Sequence, residues 1–136
     1  MLLGVGVDLL HLTRLRAIFS RRQPARLAAR ILSDEEHKEW KGIAASPEHS
    51  ERFLALRWTA KEAAYKALYP AIIPRWSDLT VTKEGPKPIL SLATYASTLV
   101  RPPTIDPALV RLHLSVSHDA DLMVAYVVAE ALDRKN

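Results

Sequence analysis

Apolar positions follow two rhythms along this chain. Residues 2–12 form a nearly unbroken Val/Leu run with glycines at 4 and 6 and Asp8 toward its end, which predicts a buried strand. From Pro47 to about Tyr69 the rhythm changes. Phe53, Leu54, Leu56, Ala60, Ala63, Ala64, Ala67 and Leu68 recur at helical spacing and predict a long core helix stopped by Pro70 and Pro74. Leu79–Lys83 alternates with β-branched residues and predicts a strand. Glu84–Pro88 reads as a turn and Ile89–Leu92 as the returning strand. Residues 110–117 and 122–131 are two further strands, joined by the polar turn His118-Asp119-Ala120-Asp121.

Capping signals fill in the rest. Thr13 is the expected N-cap of an arginine-rich helix reaching about Arg22, and Pro24 opens a short helix toward Ile31. Ser33-Asp34-Glu35-Glu36 is a capping-box pattern for a helix over Asp34 to about Lys41. Gly42–Ser46 is expected as a loop, with Ser46-Pro47 opening the long helix. Ala93–Val100 is expected as a further helix, ended by Pro102 and Pro103. Together these elements predict a single α+β domain over residues 1–136, with an antiparallel sheet packed on a long helix.

Composition narrows the function classes. Apolar residues are 49% and charged residues 25% of the 136, as in ordinary globular chains, and no apolar run approaches the roughly 18 residues of a membrane span. The first residues lack a basic segment and cleavage site, so the chain is read as starting on its first strand. Without cysteine there is neither disulfide nor thiolate-bound metal, which fits a reducing compartment. Net charge is +4, and its distribution matters more than its size. Between Asp8 and Asp34 stand Arg14, Arg16, Arg21, Arg22, Arg26 and Arg30 with no acidic residue. Such a block is either a solvated basic face or the footprint of an acidic partner.

Three segments carry polar residues that packing does not explain: Asp8, the stretch Arg57–Lys66, and Ser115–Asp119. Asp8 and Glu62 are oxygen donors of the kind magnesium prefers, each in apolar surroundings where an uncompensated charge is costly. Arg57, Lys61, Lys66 and His118 are candidates to receive phosphate oxygens. The set reads as metal-assisted chemistry on a phosphate ester. Plainer accounts exist for each residue. Glu62 and Lys66 suit an i,i+4 ion pair, Asp8 a cap, and His118 a turn. A Ser117-His118-Asp119 hydrolase triad is disfavoured, since sequence neighbours on a strand and turn do not converge and the chain has no nucleophile-elbow pattern. A nucleic-acid-binding module would use the arginine block as a phosphate track. It would leave Asp8 and Glu62 without a role, and the block carries no interleaved aromatic beyond Phe19.

Gly4-Val5-Gly6-Val7-Asp8, then Trp58-Thr59-Ala60-Lys61-Glu62-Ala63-Ala64-Tyr65-Lys66, then Leu114-Ser115-Val116-Ser117-His118, in that order in so short a chain, resemble the 4′-phosphopantetheinyl transferases. Length and motif order resemble the holo-acyl-carrier-protein synthase branch, over about residues 3–130. The resemblance implies that fold. It also implies transfer of the 4′-phosphopantetheine arm from coenzyme A to a serine of an apo acyl carrier protein, with magnesium, in fatty acid and lipid metabolism. By position, Asp8 and Glu62 match the metal carboxylates, and Lys66 the lysine that contacts phosphate. Arg57 and His118 match the binders of the coenzyme A 3′-phosphate, with Lys61 and Ser117 as helpers. The basic helix implies docking of the acidic carrier, with Arg14, Arg21, Arg22 and Arg26 as candidates. The resemblance further implies a homotrimer with sites at subunit contacts. Residues 68–78 are longer and less familiar than in bacterial versions, which leaves the compartment open between cytoplasm and mitochondrial matrix.

Overall fold

The computed structural model describes residues 1–94 and 101–134. Strand β1 (Leu2–His11) leads straight into helix α1 (Leu12–Arg21), followed by α2 (Pro24–Ile31), α3 (Asp34–Ile43) and the long α4 (Pro47–Leu68). A short 3₁₀ turn (Trp76–Asp78) leads to β2 (Leu79–Glu84) and β3 (Lys87–Leu92), and a second one (Pro107–Leu109) leads to β4 (Val110–Asp119) and β5 (Leu122–Ala131). The expected helix over Ala93–Val100 falls mainly outside the described residues; Ala93 and Thr94 themselves are not helical.

The strands are antiparallel, as expected, but form two sheets. One has the order β1-β5-β4, and the other is the β2-β3 hairpin. Helix α4 packs across the larger sheet through Ala60, Ala63, Ala64 and Ala67, which meet Ala125, Val127 and Ala129 of β5. A second core joins α1, α2, α3 and the first half of α4 around Leu15, Ile31, Trp40, Phe53 and Leu54. Alanines and glycines are what permit this closeness. A Cβ on Gly6 would stand 1.9 Å from the Ala63 carbonyl oxygen, and one on Gly4 2.2 Å from that of Ala67. Strand and helix backbones are therefore in direct contact, and Asp8 emerges one strand step beyond that contact.

Several local expectations are corrected. The N-cap of α1 is His11, whose Nδ1 accepts from the Thr13 amide at 3.3 Å; Thr13 lies inside the helix. The chain turns from strand to helix without a spare residue, so the last strand residue does the capping. Helix α3 continues through Gly42 and Ile43, and its predicted capping box of Ser33 and Glu36 is present. Ser46 is the N-cap residue of α4 with Pro47 following, as expected, but its hydroxyl meets His49 Nδ1 at 2.9 Å instead of a helix amide. The β4–β5 turn is tighter than expected. His118 pairs with Met123 and Asp119 with Leu122, leaving Ala120 and Asp121 as the turn. Strand β1 is not buried on both faces. Val5, Val7 and Leu9 are exposed on the side away from α4, beside Tyr126 and Leu122 of β5.

Candidate active site

Two polar centres form around α4. The first lies where β1 crosses it. Asp8 is on the helix-facing side of β1, opposite Ala125, and Lys66 reaches it from α4. The Lys66 ammonium donates to the Val7 carbonyl at 2.9 Å and to Asp8 Oδ1 at 3.2 Å. Glu62, one helical turn earlier, is half-buried. Burial, and then the nearby Asp8 carboxylate, push its pKa above the ordinary carboxylate range; Lys66 and Arg14 oppose the shift. Two carboxylates thus repel across a short gap, with two cations at the margin. That surplus of hard oxygen donors suits a magnesium ion that keeps waters and takes phosphate oxygens as its remaining ligands. Among the described residues no cluster of three or more His, Asp or Glu side chains forms a fuller cage. Asp8 and Glu62 are the residues that would hold such an ion.

The second centre is sealed. Arg57 and Lys61, one turn apart on α4, are 3% and 1% exposed, and Glu36 from α3 lies between them at 1%. Glu36 Oε1 accepts from the Lys61 ammonium and from the Ser33 amide at 2.9 Å; Oε2 accepts from the Val81 amide at 3.0 Å. Lys61 also donates to the carbonyls of Ile31 at 2.6 Å and Trp76 at 3.0 Å. The three donors of its ammonium all meet protein oxygens. Lys61, a candidate to receive phosphate oxygens, turns its side chain inward beneath α2 and α3. Desolvation lowers its pKa, offset in part by Glu36.

Arg57 is held differently. Its Nε is 3.4 Å from Glu36 Oε2 without hydrogen-bond geometry. Its other contacts are long: the Phe53 and Val81 carbonyls at 3.5 and 3.4 Å, and Glu39 at 3.5 Å. The guanidinium lies 3.4 Å over the Phe53 ring. Burial pulls its pKa below the ordinary arginine value, against Glu36 and Glu39. Arg57 lines a cavity of about 600 Å³ together with His118, Lys83, His49 and Arg52. His118 reaches this cavity because it shares the helix-facing side of β4 with Val116, whereas Ser117 is exposed and belongs to the opposite side. Ser117 and His118, expected to act together, point to different faces of the sheet in one chain.

The arginine block divides as well. Arg16 is tied to Glu51 at 2.7 Å and Asp121 at 3.2 Å. Arg21, Arg22 and Arg26, with Arg30, surround a groove of about 350 Å³ floored by Ile18, Leu27 and Trp58. Arg14 lies over the Trp58 ring, 5.9 Å from its centroid. Trp58 in turn meets Trp76 edge-on, and Trp76 with Tyr65, Pro74 and Arg75 walls a pocket of about 180 Å³ that includes Glu62. Sequence reasoning placed Arg30 in the basic block but not among the docking candidates, and it overlooked Lys83 and the apolar floor of the groove. For Arg30 the signal was present, since it follows Arg26 at i+4; for Lys83, a cation ending a strand, there was none.

The chain matches the family model described as the 4′-phosphopantetheinyl transferase superfamily over residues 4–118. It is 37% identical to the holo-[acyl-carrier-protein] synthase of Desulfovibrio desulfuricans, over 97% of this chain and 100% of that protein. Identity to the holo-[acyl-carrier-protein] synthase of Aliivibrio salmonicida is 33%, over 96% and 98%. Among solved structures, a holo-(acyl-carrier-protein) synthase from Bacillus anthracis in complex with CoA (3′,5′-ADP) superimposes with a TM-score of 0.72 at 29% identity, covering 96% of this chain and 98% of that one. A Neisseria meningitidis holo-[acyl-carrier-protein] synthase gives 0.73 at 28%, over 96% and 99%. With the family model matched over residues 4–118 and near-full-length identity to these synthases, this chain belongs to the 4′-phosphopantetheinyl transferase superfamily, in its holo-acyl-carrier-protein synthase family.

Proposed function

We propose that the chain moves the 4′-phosphopantetheine arm of coenzyme A onto a serine of an apo acyl carrier protein, with magnesium, releasing 3′,5′-ADP and supplying carrier for fatty acid synthesis. The observation that carries this reading is the convergence of Asp8 and Glu62, from different elements, beside the Lys66 ammonium. The coenzyme A complex of a similar solved structure supports the donor. Bound magnesium would lower the cost of charge building on the diphosphate. Lys66, half-exposed and already directed at Asp8, meets the phosphoryl oxygens. The serine proton would go either to Glu62 directly or to a water held by the metal. Arg57 and His118 anchor the 3′-phosphate in their cavity.

The two centres do not open on one cavity within a single chain: the cavity lined by Arg57 and His118 includes none of Asp8, Glu62 or Lys66. The exposed apolar face of β1 and β5 supports assembly as the missing element. Val5, Val7, Leu9, Leu122 and Tyr126 form a continuous patch of a kind monomers seldom expose. A homotrimer formed on that face would bring the nucleotide cavity of one chain toward the carboxylates of the next. The arginine groove is the docking site for the acidic carrier. Its floor of Ile18, Leu27 and Trp58 suits an apolar side chain flanked by carboxylates better than it suits a nucleic-acid backbone. A chain without cysteine, with bacterial relatives, fits a reducing cytoplasm.

The test is direct. Incubation with coenzyme A, magnesium and several apo carriers should raise the mass of at least one carrier by one phosphopantetheine arm. Absence of any gain, alongside salt-sensitive binding to DNA or RNA, would replace this reading with the nucleic-acid one.

A further inference from the structure

Glu36 is more buried than its helix requires. In a capping box the N3 glutamate has one task, which is to accept from the N-cap amide, and this needs one oxygen at the surface. Glu36 performs that task through Oε1 to Ser33. Its second oxygen goes elsewhere: to the Val81 amide of β2 at 3.0 Å and to within 3.4 Å of Arg57 Nε. One carboxylate thus touches α3, α4 and β2 at once. Such complete burial is costly for a charged group, and capping does not account for it.

The charge balance shows what it serves. Two buried cations share this one buried anion, and Glu39, which also faces Arg57, is exposed and screened by solvent. Lys61 takes the better half of Glu36, with two carbonyls besides, and is satisfied. Arg57 is left with long contacts and an Nε that no hydrogen bond reaches. The unmatched positive charge therefore sits on the group that borders the cavity with His118, Lys83, His49 and Arg52. A guanidinium so placed binds a dianion well only when its plane is fixed beforehand. Glu36 Oε2 is the one buried charge facing its Nε edge, while the Phe53 ring and the long contacts to the Phe53 and Val81 carbonyls and Glu39 hold the rest of the plane.

We propose that Glu36 is a positioning residue that sets the orientation of Arg57, and that it thereby determines how strongly the enzyme prefers a donor bearing a 3′-phosphate. The inference rests on the coenzyme A reading above. Glu36→Gln keeps the size and one acceptor but puts an amide where Arg57 and the Val81 amide need an oxygen. Transfer to a carrier is measured with coenzyme A and with dephospho-coenzyme A, which lacks the 3′-phosphate. The preference for coenzyme A should fall about 10-fold or more, through KM for coenzyme A, with kcat and the rate on dephospho-coenzyme A nearly unchanged. Glu35→Gln, the exposed neighbour in the same turn, should leave the preference as it is. Equal losses on both donors, or an unchanged preference, would overturn the proposal. Should the single variant fail to fold, Glu36→Gln with Lys61→Met removes one charge of each sign, and the same ratio decides. A wild-type protein that transfers from neither donor would sink the transferase reading itself, whereas transfer with an unmoved ratio sinks only the role of Glu36.

Discussion

The two centres of α4 lie within ten residues of each other and are built on opposite plans. At Asp8, Glu62 and Lys66 the charged groups are partly accessible, Lys66 most of all, and loosely paired, with two carboxylates facing each other. At Arg57, Lys61 and Glu36 they are buried and carry positive charge in excess, with Lys61 tightly paired and Arg57 held by long contacts at the edge of a cavity. On the proposed function, the groups that would meet a changing charge are left accessible, with their repulsion unresolved in the free chain. Those that would hold a part of the substrate remote from the reaction are buried and set in advance, at the cost of burying ions. One helix serves both because its alanine stripe fastens it to the sheet, independently of either centre.

The largest effect should come from breaking the open centre. Asp8→Ala or Glu62→Ala should reduce transfer by about 10³-fold or more, while the thermal midpoint stays level or rises because the repulsion is gone. Activity within tenfold of wild type would remove these carboxylates from the metal site.

Next comes the contact that brings the open centre together. Gly6→Ala drives a methyl group into the Ala63 carbonyl and should destabilise the fold by about 1–3 kcal/mol or more in urea unfolding. Gly42→Ala, in α3 with free space around it, should instead stabilise by about 0.5–1 kcal/mol. If Gly6→Ala proved harmless, the strand–helix contact would not be what sets the position of Asp8.

The smallest effect is electrostatic. The folded-state pKa of Glu62 is raised, so its ionisation opposes folding. Wild-type stability therefore contains a contribution present below the unfolded carboxylate value and lost as pH rises through the folded one. In metal-free buffer, Glu62→Gln should gain on wild type as pH rises from the unfolded carboxylate value through the raised folded one, and then run parallel. A difference that shrank over this range would mean that Lys66 and Arg14 outweigh Asp8.

Much of this was legible in the chain. Helix α4, the α3 capping box and both hairpins follow from spacing and capping, which are local properties. Asp8, Glu62 and Lys66 could be read as a group because their placement depends on one strand and one helix. Lys61 could not, because a buried lysine and an exposed one look alike until the partner across 25 residues, Glu36, is known. His11 as a cap was masked by Thr13, the better capping residue one step too late. The exposed side of β1 misled for another reason: Val5, Val7 and Leu9 are as apolar as the core side. That pattern marks a double-sided strand whether its second neighbour is in the same chain or another.

The glycines of β1 bear on how the motif should be understood. A Gly-x-Gly ahead of an acidic residue invites comparison with nucleotide-binding loops, where glycine frees the backbone to wrap a phosphate. Here both glycines lie in an extended strand, and what they contribute is thinness. Two main chains touch with nothing between them, so the span from Asp8 to α4 is fixed by the width of a peptide group. Side-chain repacking elsewhere can shift the cores without altering that span. The motif acts as a spacer gauge, and its tolerance is smaller than one methyl group.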